Sequence, residues 1–130
     1  MLISKLKILD YKGFTLIELI AVMAILSIVT TLTVKKVVAI SYTAEQNALT
    51  QGVAELNARE KITWTKIKLA DHGYQNDDAV WNEINLNLGE QYGWNDPPEK
   101  NGGTLRFGSH SIALKRTVSN RNTTGSWSSL

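Results

Sequence analysis

The sequence predicts an α+β fold: a long N-terminal α-helix, apolar in its first half and amphipathic in its second, packed on a small C-terminal antiparallel β-sheet. Three observations carry this expectation. Residues 14–34 form an apolar run that holds a single charge, Glu18, about as long as the ~20 residues that span a bilayer. Apolar residues then recur at helical spacing to about Leu69 with no break signal. Near the C-terminus the pattern changes to period-two alternation around a Gly-Ser pair, which reads as a β-hairpin.

Outside the apolar run most of the 130 residues are polar, so the globular part is small. Domains of that size have little room for a core and often lean on disulfides, metals or assembly. The absence of cysteine excludes a disulfide and a thiolate metal site, leaving neighbouring subunits as the expected extra support. The formal charge is +2, and Lys5, Lys7 and Lys12 set against Asp10 account for all of it. The chain after Gly13 is formally neutral, so overall charge argues for neither nucleic-acid nor membrane-surface binding.

A secretory signal peptide fits the apolar run poorly: the run is too long and continues into polar helix-formers with no small-residue cleavage site. A plain membrane anchor fits the length but leaves Glu18 unexplained. A carboxylate inside a membrane helix costs roughly 2.5–3.5 kcal/mol at mid-bilayer, less near an end, and usually has a partner and a task. Cleavage between Gly13 and Phe14 would supply that partner. Phe14 would then carry a free, positively charged α-amine, with Glu18 four residues on along the same helical face. Among packed apolar helices, the Glu18 carboxylate of one chain and the amine of another would neutralise each other. An error in axial stagger would break the pair, so the charge acts as a register key, like a polar residue at one core position of a coiled coil.

The segment Lys12-Gly13-Phe14-Thr15-Leu16-Ile17-Glu18 joins a short basic leader ending in Gly to Phe, Thr, Leu, Ile, Glu and a hydrophobic helix. It resembles the processing motif of the type IV pilin and type II secretion pseudopilin superfamily, over roughly the first third of the chain. The resemblance implies a leader over residues 1–13, cut by a prepilin peptidase between Gly13 and Phe14, and N-methylation of Phe14. It further implies that Glu18 is the filament-assembly glutamate, that residues 14–36 form the transmembrane and filament-core helix, and that residues 37–130 form a pilin-like globular head. One departure stands out. Many members kink the second half of the apolar segment with proline and glycine, whereas residues 24–35 here contain neither. Their β-branched residues lower helix propensity modestly, and the missing proline weakens the match to a standard major pilin.

Leu49, Val53, Leu56, Trp64 and Ile67 extend the helix as an amphipathic stripe. Gly52 interrupts it at a cost of up to ~1 kcal/mol, and Gly73 is a natural C-terminal stop. One helix is therefore expected from Phe14 to about Leu69. A short helix is expected over about residues 78–88, N-capped by an aspartate, with Val80, Trp81, Ile84 and Leu88 on one face and Gly89 at its end. Residues 92–103 read as a loop. Thr104 to Val118 reads as a hairpin turning at Gly108-Ser109 in a type II′ turn, with Ile112, Leu114 and Val118 on one face. Residues 125–130 add a third short strand.

Charge is segregated in the globular half. Asp71, Asp77, Asp78, Glu83, Glu90, Asp96 and Glu99 come first, then Lys100, Arg106, Lys115, Arg116 and Arg121. Complementary faces that dock between stacked subunits would use this pattern, and so would a solvated surface with weak internal pairs. The cations are too few to make nucleic acid an expected partner. No cofactor is expected. Asn95, Asp96 and Glu99 are calcium candidates, since they offer hard oxygen ligands and some pseudopilins that the chain resembles bind calcium in a loop, but EF-hand spacing is absent and Pro97-Pro98 suits a rigid surface loop equally well. His72 and His110 lack a partner at motif spacing and read as surface or capping residues. Asn122-Thr123-Thr124 matches a glycosylation sequon that is frequent by chance. Trp64, Trp81, Trp94 and Trp127 read as core and interface aromatics. No catalytic constellation is present, and an enzyme is not expected.

These readings converge on a subunit of a type IV pilus-like filament, homo-oligomeric or mixed. Its precursor would sit in the bacterial inner membrane with the C-terminal domain periplasmic, and meet prepilin peptidase and an inner-membrane assembly platform. Assembled, it would stand in a surface pilus or a periplasmic pseudopilus. The alternatives are a pseudopilin or minor pilin, including one for DNA uptake, and, from another class, a membrane-anchored binding domain that never polymerises. The sequence leaves adhesion, motility, uptake and secretion all open.

Overall fold

The computed structural model of the protein describes residues 13–130; the expected leader, apart from Gly13, lies outside the described residues. The elements run α1 (Leu16–Leu69), α2 (Asp77–Glu83), β1 (Tyr92–Trp94), β2 (Gly102–Phe107), β3 (His110–Thr117) and β4 (Ser126–Ser129). This is the α+β fold that the sequence predicts. The chain divides into two compact units, one ending at Ile40 and the other spanning Ser41–Leu130.

The described part of the first unit is the N-terminal stretch of α1. The helix begins at Leu16 rather than Phe14 because Thr15 acts as its cap. The Thr15 Oγ1 accepts the Glu18 N–H at 3.3 Å, and the Glu18 Oε2 accepts the Thr15 N–H at 2.8 Å. This reciprocal capping box is written in the sequence as Thr-Leu-Ile-Glu. Farther along, Ser27, Thr30, Thr31 and Thr33 donate their hydroxyls to the carbonyls of Met23, Leu26, Ser27 and Val29 at 2.6–2.8 Å.

In the second unit α1 buries Leu49, Gly52, Leu56, Glu60 and Ile67. These residues fall on one stripe at spacings of three, four and seven. A Cβ on Gly52 would come within 2.8 Å of the Tyr92 ring and 3.0 Å of Leu105. That close approach explains a glycine in the middle of a helix. The helix ends at Leu69 as expected, and the next turn closes with the Gly73 N–H donating to the Ala70 carbonyl at 2.8 Å while Gly73 takes φ 64°.

The sheet is wholly antiparallel in the order β1-β2-β3-β4. Its inner face supplies Leu105, Leu114 and Trp127, which form the core with Leu49 and Leu56 of α1. Phe107 pairs with His110 across Gly108-Ser109. Gly108 has φ 59° and no other residue type takes positive φ among the described residues, which suits a type II′ turn and not type I′. The expected third strand is β4.

Several local expectations are corrected. The helix expected over about residues 78–88 stops at Glu83, and its cap is Asn76 rather than an aspartate, with Asn76 Oδ1 accepting the Ala79 N–H at 3.2 Å. Two local effects draw the next residues out of the helix. Asn85 and Asn87 side chains accept the Asn87 and Gly89 backbone N–H groups, offering the main chain an alternative to helical bonds. Arg59 Nη1 donates to the Asn85 and Asn87 carbonyls at 2.9 and 2.7 Å. The expected loop at residues 92–103 contains β1, paired through Tyr92↔Phe107 and Trp94↔Leu105, and the first two residues of β2. Val118 lies beyond β3 and is exposed; the inward position after Ile112 and Leu114 belongs to Arg116.

The two sheet edges are treated differently. In an antiparallel ladder alternate residues point their backbone groups outward. At the β4 edge, Asn57 of α1 accepts the Trp127 N–H at 2.7 Å and donates to the Trp127 carbonyl at 2.9 Å. One side-chain amide thus stands in for a neighbouring strand at Trp127.

Candidate functional site

The N-terminal site is built on the first turn of α1. Gly13 and Phe14 are exposed, so the peptide bond expected to be cut is accessible in the described structure. Every large apolar side chain from Phe14 to Ile40 is exposed, and α1 is long and apolar enough to cross a membrane. The four back-bonded hydroxyls leave no Ser or Thr side chain between Ser27 and Thr33 without an acceptor, which lets these residues enter an apolar medium at reduced cost. Glu18 is the one charge in this face up to Val34. Its carboxylate stands in the first helical turn, where the helix dipole favours an anion, and is held there by the Thr15 N–H.

The second unit contains a buried ionic cluster that the sequence did not reveal as one. Arg116 of β3 reaches Glu60 of α1 through Nε at 3.1 Å and also through Nη2, and grips both oxygens of Asp77 at 2.8 and 2.9 Å. The side chains of Arg116 and Glu60 are fully buried. The Ser119 backbone N–H and hydroxyl donate to Asp77, and Trp127 Nε1 donates to Glu60 at 3.1 Å. Burial by itself would raise the Asp77 carboxyl, but the hydrogen bonds from Arg116 and Ser119 outweigh it and hold the group at about 2. Burial likewise works against the Arg116 cation, and the bonds to Asp77 and Glu60 reverse that, moving its proton affinity above the usual range. The cluster joins α1, α2, β3 and β4, and is satisfied throughout. Such a cluster does structural work and offers no open coordination or reaction site.

The other charged residues sort in the same way. Asp78 pairs with Lys100, which also stands 3.8 Å from Asp77, and Glu83 lies 3.8 Å from Lys66. Part of the charge segregation is therefore satisfied within one chain. Asp71, Glu90, Asp96, Glu99, Arg106, Lys115 and Arg121 are exposed. His110, expected as a surface or capping residue, is half-buried and pairs with Glu45, whose Oε2 also accepts the Ser109 hydroxyl at 2.9 Å. The hydrogen bond from His110, then that from Ser109, lowers the Glu45 carboxyl below its ordinary range. His72 is exposed, and its carbonyl accepts the Gln75 amide. Asn95, Asp96 and Glu99 are exposed around the β1–β2 connection, where Glu99 is engaged through its backbone with Gly102. Among the described residues no group of three or more His, Asp or Glu is arranged to hold a metal ion. Asn122 is exposed in a turn set by Asn120. Trp127 is buried, Trp81 and Trp94 pack against it at ring-centroid distances of 6.3 and 5.7 Å, and Trp64 donates to the Asn120 carbonyl.

Among the described residues the fold presents a long helix whose first part is apolar and exposed. Residues 9–34 match the family described as the prokaryotic N-terminal methylation motif. This motif is the prepilin-type leader and helix start found in type IV pilins and pseudopilins, and the match is confined to that segment. No curated protein and no solved structure matches the chain. The motif implies processing by a prepilin peptidase and fits a membrane-anchored precursor.

Proposed function

We propose that this chain is a structural, non-enzymatic subunit of a type IV pilus-like helical filament. The precursor enters the inner membrane through α1 with its C-terminal unit in the periplasm. Prepilin peptidase cuts between Gly13 and Phe14 and methylates the new amine, and the assembly platform then draws the mature subunit into the filament. The observation that carries this reading is the methylation motif at residues 9–34, joined to an apolar helix face with Glu18 as its only charge up to Val34. Once the helix has left the membrane, neighbouring helices keep that face from water, worth about 25 cal/mol per Å² relative to the exposed state. Relative to lipid, the gain is close helix packing. Glu18 pairs with the Phe14 amine of an adjacent subunit and fixes the stagger.

The apolar segment without proline favours a minor pilin or a pseudopilin over a standard major pilin. Mass spectrometry of the chain expressed with a prepilin peptidase tests the processing step. The expected product starts at a methylated Phe14, and Gly13→Trp leaves the leader attached. Glu18→Ala leaves the precursor stable and stops or disorders polymerisation. A product that retains Met1 in the presence of an active peptidase would point instead to an anchored domain that does not polymerise.

A further inference from the structure

At the β4 edge Asn57 occupies the outward groups of Trp127, whereas no side chain among the described residues plugs the β1 edge in this way. The ladder fixes which β1 groups face outward. Asn95 donates to the Thr104 carbonyl at 3.1 Å, which makes Gly93 and Arg106 the next bonded pair and turns Tyr92 and Trp94 away from β2. The Tyr92 N–H is taken by the Gly89 carbonyl at 3.2 Å. The Trp94 N–H and carbonyl and the Tyr92 carbonyl have no partner among the described residues.

A groove runs beside this edge, lined by Leu86, Asn87, Leu88, Tyr92, Trp94 and Pro98. Its far wall is held in place. Arg59 binds the Asn85 and Asn87 carbonyls, and Trp94 Nε1 donates to the Leu86 carbonyl at 3.1 Å. These contacts keep residues 84–88 out of α2 and opposite β1. The segment Glu90 to Glu99 that frames the groove carries three exposed carboxylates, Glu90, Asp96 and Glu99, none in a salt bridge among the described residues. Edge-to-edge pairing of two copies would bring these like charges together, which disfavours a second copy of this chain. One cation stands beside them, the Arg106 guanidinium against Gly93 of β1. The three carboxylates outweigh it, and the balance attracts an extended segment flanked by cations.

We propose that the β1 edge and its groove form a strand-addition site for an extended peptide segment of another protein. The partner's residues would alternate between small apolar side chains turned into the groove and polar ones turned out, with Lys or Arg at its ends. Backbone pairing to Trp94 and Tyr92 supplies affinity, the groove reads alternate side chains, and the carboxylates select charge. The site lies within the second unit and stands apart from the filament reading.

The test uses the isotopically labelled full chain in detergent micelles, before any assembly. The probe is a synthetic peptide of alternating valine and threonine flanked by lysines. The expected result is saturable shifts of the Gly93, Trp94 and Asn95 amides. An otherwise identical peptide N-methylated at alternate residues, which cannot complete the ladder, should bind at least about tenfold more weakly. Glutamates in place of the lysines should have a similar effect, as should the paired surface changes Asp96→Lys and Glu99→Lys. No saturable shift, shifts centred on β4, or equal binding of the N-methylated peptide would overturn the proposal. Since no step requires polymerisation, failure here leaves the filament reading untouched, and failure to form filaments leaves this site untouched.

Discussion

Arg116 brings one positive charge to two carboxylates, those of Glu60 and Asp77, and Lys100 approaches Asp77 from a more exposed position 3.8 Å away. Removing the guanidinium leaves two desolvated carboxylates facing each other. Arg116→Met should therefore cost about 3–5 kcal/mol, read by urea unfolding of the full chain in micelles with tryptophan fluorescence. Lys100→Ala, at the rim, should cost far less. Acid gives an independent check. The Asp77 carboxyl falls from an ordinary 3.8 to about 2 in the folded protein, so the unfolded chain binds that proton more readily. The stabilisation is fully present above about pH 4 and disappears as pH falls through about 2. The urea midpoint should fall over that window, and Asp77→Asn should flatten the fall. An equally steep fall in the variant would assign the acid sensitivity to other carboxylates. In the sequence Arg116 read as one cation in a surface run, although its parity with Ile112 and Leu114 places it on the inward side of β3. The carboxylates that make this position tolerable come from residues 56 and 39 positions away, a distance no local pattern encodes.

At the level of elements, α1 and the hairpin were legible because each is long or strongly patterned: a stripe repeated over many turns, and alternation around Gly108-Ser109. The end of α2 was not. Val80, Trp81, Ile84 and Leu88 do fit a helical face, but Arg59 competes for the carbonyls after Glu83. β1 was hidden for a related reason: it has three residues, one of them glycine, and exists through its pairing with β2. Gly52 shows a local rule overridden by packing. Alanine there gains up to about 1 kcal/mol of helix propensity, yet its Cβ would meet Tyr92 at 2.8 Å and Leu105 at 3.0 Å. Overpacking of that kind costs typically ~1–3 kcal/mol, so the clash should win. Gly52→Ala is expected to lower the urea midpoint and to shift the ring signals of Tyr92. An increase in stability would mean that Tyr92 and the groove beside it yield easily.

For the whole molecule the open question is what Glu18 does, because the structure gives its carboxylate two separable properties. It closes the capping box with Thr15, and it places a negative charge on an otherwise uncharged face. Glutamine also serves at this position of a capping box, so Glu18→Gln retains the local cap while removing the charge. If the register key is the ion pair with a neighbouring Phe14 amine, the Gln variant should be processed normally, keep its helix by circular dichroism, and still fail to form ordered filaments. Glu18→Ala should fail in the same way with a slightly frayed helix start, since it loses the reciprocal half of the capping box. Thr15→Ala supplies the converse, losing the hydroxyl of the cap while keeping the charge, and should still polymerise. Electron microscopy of the three variants, each matched for mature chain by mass, separates the roles. Ordered filaments from Glu18→Gln would assign the glutamate to capping alone, and the stagger would then have to come from the shape of the apolar face.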